Sequence, residues 1–211
     1  MSNLAYHQFF PQMVATSFLE ITDEQHIFLK GYLSASTIDQ PHRQEDEHTG
    51  FASDNKYVLN DSELSFLKDI IMGKFNEFKN SIMRYDNTIF EMNTSWITKT
   101  PKGHYSNFHN HNNCMFSGVF YFDESSDLEF EDFSTRRFDV TPSEYNNFNS
   151  VSQAIQIKKN MVVFFDSRLW HKISLNESDE TRYSLAFNIV PTGLIGYGDS
   201  QASFKLDTYK S

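Results

Sequence analysis

Apolar residues along this chain recur with two different periods, and the change between them falls near residue 88. Before it, Leu64, Leu67, Ile71, Phe75, Phe78 and Ile82 step by three or four positions, which draws one stripe along a helix that packs on a sheet. Asn60-Asp61-Ser62-Glu63 supplies the start signal for that helix. An earlier helix is predicted after Thr22, whose hydroxyl and the amide of Gln25 form a capping box ahead of Ile27, Phe28, Tyr32 and Leu33. Residues 36–60 are polar and rich in His, Asp and Gln, and predict a surface loop.

From residue 88 the pattern becomes that of strands. Residues 88–97 read as one, closed by a turn at Pro101-Lys102-Gly103. Residues 115–122 are apolar enough for a central strand, 128–131 and 154–157 alternate, and 161–165 and 183–190 complete the set. Many short strands preceded by helices predict a mainly β chain with N-terminal helices on one face: a double-stranded β-helix, the jelly-roll or cupin-like arrangement. The expected organisation is one domain, with residues 1–87 as helical support and loop, 88–195 as the jelly-roll core and 196–211 as a tail. In such barrels the mouth between the sheets takes the ligand.

Composition narrows the function classes. At 211 residues, 39% hydrophobic and 22% charged, the chain is globular and sized for one well-filled core. Its 21 Phe and 10 Tyr predict an aromatic-rich interior. A net charge of −10 argues against a nucleic-acid groove, which needs Lys and Arg against phosphates. A single cysteine, Cys114, excludes an intrachain disulfide and fits a reducing compartment. The N-terminus carries no signal-peptide pattern, and no apolar run approaches the ~18 residues of a membrane span. The expectation is a soluble cytoplasmic protein, with self-association into a homodimer left open.

The chemistry is concentrated in a few spaced residues. His109 and His111 flank one position, and on an extended segment residues two apart point the same way, so both imidazoles can face one cavity. His171 follows an apolar strand and is expected from a neighbouring strand. Three converging imidazoles suit a divalent metal. Eleven residues after His171, Arg182 and Ser184 alternate along a strand. A guanidinium fork beside a hydroxyl suits a carboxylate, and an Arg opening so apolar a strand would be costly unpaired. Taken singly, a His in the Asn-rich run His-Asn-His-Asn-Asn reads as a solvated loop residue, and Arg182 as part of a charged turn. Two rival chemistries share these residues: a zinc hydrolase, which has no use for Arg182, and a jelly roll that binds a ligand without catalysis.

The blocks Gly103-His104-Tyr105-Ser106-Asn107-Phe108-His109-Asn110-His111, Ser117-Gly118-Val119-Phe120-Tyr121-Phe122, Val163 to His171, and Glu180 to Asn188 resemble the iron(II)/2-oxoglutarate-dependent dioxygenases of the prolyl-hydroxylase-like branch. The nearest group carries a His-x-His loop followed by Ser-Gly-Val-Tyr-Tyr. The resemblance spans roughly residues 90–192, about half the chain. It implies an iron(II) centre on His109, His111 and His171, and 2-oxoglutarate as cosubstrate on Arg182 with Ser184, helped by Tyr105. The wider superfamily has Asp or Glu where this chain has His111, so the triad carries one negative charge fewer. The implied reaction couples decarboxylation of 2-oxoglutarate, giving succinate and carbon dioxide, to hydroxylation of a C–H bond. The substrate would be peptidyl or a small molecule. Phe108, Phe116 and Trp170 are expected to line the pocket, and residues 36–57 and 134–153 to serve as substrate lids.

Overall fold

Alternation in the second half of the chain builds two antiparallel sheets and sorts side chains between two cores. The structure is a computed structural model that describes residues 5, 7, 10–41, 48–133, 138 and 140–207. With strands numbered along the chain, the larger sheet runs β1 (Val14–Phe18), β8 (Met161–Asp166), β5 (Phe116–Tyr121), β10 (Arg182–Ile195), β4 (Ile89–Thr100), β3 (Phe51–Ser53), β2 (Ile38–Pro41). A short β11 (Ala202–Phe204) pairs with β10. The smaller sheet runs β7 (Ser152–Ile157), β6 (Ser125–Glu131), β9 (Trp170–Ile173). This is the expected jelly-roll arrangement, with helices on one face of the larger sheet. No helix among the described residues is long and apolar enough to cross a membrane.

The central strands show the sorting. On β10 and β5, Leu185, Phe187, Ile189, Phe116 and Phe120 face the helices. Ala186, Val119 and Tyr121 face the smaller sheet and pack with Leu128, Phe130, Val163 and Phe165. On β4 a bulge changes the parity. Asn188 pairs with Thr94 but Ile189 pairs with Met92, so Asn93 is skipped. Phe90 and Met92 therefore face the helices, while Thr94, Trp96 and Thr98 face the cavity between the sheets.

Both helices start as their sequences dictate. Gln25 N–H donates to Thr22 Oγ1 at 3.2 Å and Thr22 N–H to Gln25 Oε1 at 2.9 Å, the reciprocal box that opens α1 (Asp23–Ala35). Asp61 accepts from Glu63 N–H at 3.0 Å and caps a 3-10 turn, Ser62–Leu64, that leads into α2 (Ser65–Phe78). The α2 stripe holds as far as Phe78. Phe75 sits fully buried against Phe90, Phe116 and Phe164, with ring centroids 5.4 to 5.7 Å apart. Ile82 leaves the stripe: a π turn over Lys79–Met83 breaks the period and leaves it 55% exposed.

The first half of the chain departs from expectation more than the second. β1 adds a strand to the larger sheet beside β8. The expected loop over residues 36–60 contains β2 and β3, which extend that sheet past β4. These strands span only three to five residues each and carry few core side chains, so their alternation is faint.

Candidate metal centre and cosubstrate pocket

A cavity of about 490 Å³ opens between the sheets. The larger sheet contributes Thr94, Trp96, Thr98, Val119, Ser184, Ala186 and Asn188 to its walls, and the smaller contributes Leu128, His171 and Ile173. His109 and His111 enter from the segment between β4 and β5. His109 and His171 form an antiparallel bridge, each backbone N–H donating to the other's carbonyl at 3.0 and 2.9 Å. Residues paired this way carry their side chains to the same face. The rings accordingly lie 4.4 Å apart, and His111, two residues along an extended segment, stands 5.2 Å from His109 and 5.1 Å from His171. One ring nitrogen from each of the three lies within 4.8 Å of the others.

Hydrogen bonding selects which nitrogen that is. His109 Nδ1 lies 2.8 Å from the Asn107 carbonyl, His171 Nδ1 2.9 Å from the Leu169 carbonyl, and His111 Nδ1 2.7 Å from Asn188 Oδ1. All three partners are acceptors, so each Nδ1 carries the proton and each Nε2 keeps its lone pair. Two of the rings, His111 and His171, are also held neutral. Burial is the main cause for both His111, brought down to about 4, and His171, brought well below the usual imidazole range; His109 lowers both further. Three imidazoles with Nε2 lone pairs turned into one cavity are a donor set that fits a divalent cation. No carboxylate lines the cavity among the described residues.

A second polar group lies further along the same face of β10. Ser184 lines the cavity, and Arg182, two residues before it, is 7% exposed and lies beyond the residues that line it. None of the three guanidinium nitrogens has a hydrogen-bond partner among the described residues. Burial lowers the Arg182 pKa to about 10, opposed only by Tyr121. Tyr121 stands directly opposite Ser184 on β5 and is fully buried, and its hydroxyl also has no partner among the described residues. Burial pushes its pKa upward. A buried cation and a buried phenol, both with unused donors, form a cradle that fits a carboxylate.

The structure thus brings together His109, His111 and His171, and it sets Ser184 beside Arg182 and Tyr121. Tyr121 was missed because a phenol inside Ser-Gly-Val-Phe-Tyr-Phe reads as another core aromatic. Tyr105, like Arg182 and Tyr121, is not among the residues that line the cavity; its neighbour Ser106 is, its hydroxyl accepting from Ile173 N–H at 2.7 Å.

The three aromatic residues expected to line the pocket do not. Phe116 lies in the core on the helix side. Phe108 and Trp170 precede His109 and His171, so the pleat sends them outward. There both rings meet Phe133, and Lys172 lies over Phe108. Of the two expected lids, the first contributes Gln40, Pro41, Ala52 and Lys56 to the cavity wall, with residues 42–47 outside the described set. In the second, residues 134–137 and 139 lie outside the described set and no described residue lines the cavity.

Comparison with known proteins agrees with this geometry. Residues 94–188, from β4 to β10, match the family model described as "Putative 2OG-Fe(II) oxygenase". That match covers most of the jelly-roll core and makes it similar to the iron(II)/2-oxoglutarate-dependent oxygenases. No curated protein matches the chain by sequence. Among solved structures, the chain superposes on a prolyl-4-hydroxylase from Pseudomonas putida with a TM-score of 0.58 at 13% identity, covering 85% of this chain and 93% of that one. HygX from Streptomyces hygroscopicus, solved with nickel, 2-oxoglutarate and hygromycin B, gives 0.58 at 9% identity, covering 85% and 83%. A prolyl hydroxylase from Trichoplax adhaerens, in complex with a hypoxia-inducible-factor peptide fragment, gives 0.57 at 11%, covering 84% and 83%. These likenesses concern the fold. The family match over residues 94–188 supports an oxygenase that uses iron(II) and 2-oxoglutarate.

Proposed function

We propose that His109, His111 and His171 hold the iron through Nε2, and that Arg182, with Tyr121 and Ser184, holds the far carboxylate of 2-oxoglutarate. The observation that carries the reading is the pairing of two separately built features: three inward lone pairs, and a buried guanidinium with no partner of its own. When bound, iron and 2-oxoglutarate supply the oxidising chemistry, which yields succinate and carbon dioxide and hydroxylates a C–H bond. The chain's own residues orient and exclude. Trp96, Val119, Leu128, Ile173 and Ala186 line the cavity with apolar surface that keeps water from the reacting carbon. Zinc hydrolysis is less well supported, because the cavity offers no carboxylate as general base among the described residues and the reaction leaves Arg182 without a role. A bound ligand without catalysis would not explain the three Nδ1 hydrogen bonds that free each Nε2.

The substrate is a C–H-bearing group that reaches the cavity of about 490 Å³ beside the three histidines. Relatives of the same fold were solved with a peptide and with hygromycin B, so peptidyl and small-molecule substrates both fit the architecture.

Metal analysis of protein purified without oxygen tests the ligand assignment. One iron(II) or manganese(II) per chain is expected, with succinate released from 2-oxoglutarate once oxygen is admitted. His109→Ala and His171→Ala are each expected to abolish metal binding. Stoichiometric metal in both variants would sink the assignment.

A further inference from the structure

We infer that Asn188 is the positioning residue that makes His111 a metal ligand: its side-chain carbonyl accepts the His111 Nδ1 proton and so turns the Nε2 lone pair into the cavity. The inference rests on the proposed ligand role of the three histidines. His109 and His171 each set their tautomer locally, on the backbone carbonyl two residues before. His111 uses a side chain instead, Asn188 Oδ1 at 2.7 Å, from a strand 77 residues further on. It is the one imidazole of the three whose proton position depends on a replaceable group.

Asn188 is itself held. Its Nδ2 donates to Thr94 Oγ1 at 3.0 Å, and its Oδ1 also accepts from Ser117 Oγ at 2.8 Å. Thr94 on β4 and Ser117 on β5 are its direct register partners on either side, so the clamp is a row of three residues across three strands. The bulge immediately after Asn188 gives β4 the parity that points Thr94 into this row. Both lone pairs of Oδ1 are used, by an imidazole N–H and a hydroxyl. With the amide reversed, its NH₂ would meet His111 Nδ1 and force the ring proton onto Nε2, the nitrogen needed by the metal. Asn188 is only 9% exposed and Ser117 fully buried, so water competes poorly for these bonds.

Manganese(II) binding, measured by calorimetry without 2-oxoglutarate or oxygen, tests the role. Asn188→Ala is expected to weaken manganese binding roughly tenfold to a hundredfold, the usual consequence of losing the group that orients a ligand. Asn188→Asp keeps an acceptor in place and is expected to retain most of the affinity. His111→Ala is expected to weaken binding further, and adding Asn188→Ala to it should cost nothing more. Two-bond ¹H–¹⁵N spectra of the metal-free protein should show His111 protonated at Nδ1 in the parent and at Nε2 for a substantial fraction of Asn188→Ala, which a purely structural role would not produce.

Parent-like manganese affinity in Asn188→Ala would overturn the inference, as would an additive loss in the double variant. A His111→Ala protein that bound manganese normally would overturn both this inference and the ligand assignment beneath it. If Asn188→Ala fails to fold, Thr94→Val and Ser117→Ala loosen the amide without removing it. Each is then expected to lower manganese affinity by a smaller factor, and no loss in either would equally overturn the inference.

Discussion

Arg182 is the side chain whose surroundings make least sense without a ligand. A guanidinium that is 7% exposed, with no partner on any nitrogen among the described residues and a pKa lowered to about 10 by burial, is poorly placed on its own. A carboxylate against the fork would convert that cost into a bidentate pair. Arg182→Ala is therefore expected to weaken 2-oxoglutarate binding while leaving metal affinity nearly intact. Losing one partner of a buried pair commonly costs ~3–5 kcal/mol, roughly a hundredfold or more in affinity. Arg182→Lys should recover only part, since an ammonium cannot reproduce the fork. Calorimetry with manganese in place of iron measures this without turnover, and parent-like binding by the Ala variant would remove 2-oxoglutarate from this site. Arg182 and the histidines were legible in the sequence because an Arg opening an apolar strand, or a His two residues from another, is anomalous in type. Tyr121, Thr94 and Ser117 were not, because their meaning lies in register across strands distant in sequence.

Among the elements, β5 illustrates how closely the layers are fitted. A Cβ placed on Gly118 would come within 2.5 Å of the Phe187 ring and 2.7 Å of the Val163 carbonyl. Phe187 lies across the strand at the missing side chain and fills the core beneath the helices, its ring 5.9 Å from that of Phe164. Gly118→Ala must displace either a ring locked among other rings or the backbone of β8. Overpacking of this kind costs about 1–3 kcal/mol, so the urea midpoint should fall accordingly. A variant as stable as the parent would show that Phe187 can swing aside. The major strands could be read from sequence because their apolar runs are long, and α2 because its stripe covers nearly four turns. β1, β2 and β3 could not, because a strand of three to five residues carries too few core positions to declare a period. The parity switch on β4 was hidden for a related reason. One skipped residue, Asn93, leaves apolar positions on both faces of a strand that sequence alone reads as having one.

For the molecule as a whole, a site of buried neutral imidazoles makes the metal-free fold sensitive to mild acid. In the unfolded chain each imidazole takes up a proton near 6.5, whereas the fold holds His111 down to about 4 and His171 well below its ordinary value, burial being the main cause in both. Between those values the unfolded state binds more protons than the native state, so stability falls as pH falls. The contribution is fully present above pH 6.5 and is lost progressively on the way to about 4. For His111 alone the complete loss is on the order of 3 kcal/mol, a large share of the 5–15 kcal/mol that holds a domain together. The effect of overall charge runs the other way. The chain carries −10 at neutral pH, and acidification toward its pI near 5.2 relieves self-repulsion. A drop in stability between pH 6.5 and 5, where most carboxylates are still ionised, can therefore be assigned to buried imidazoles, those of the site together with His26 on α1, which burial also lowers. Urea unfolding in the presence of a chelator should show the midpoint falling across that window. His111→Gln should flatten the slope, and saturating manganese should move the fall to lower pH by holding the rings deprotonated. A midpoint that stays level from pH 6.5 to 5 in the chelated parent would mean that the native cluster takes up protons as readily as the unfolded chain, and that its three rings are less closed to water than their packing indicates.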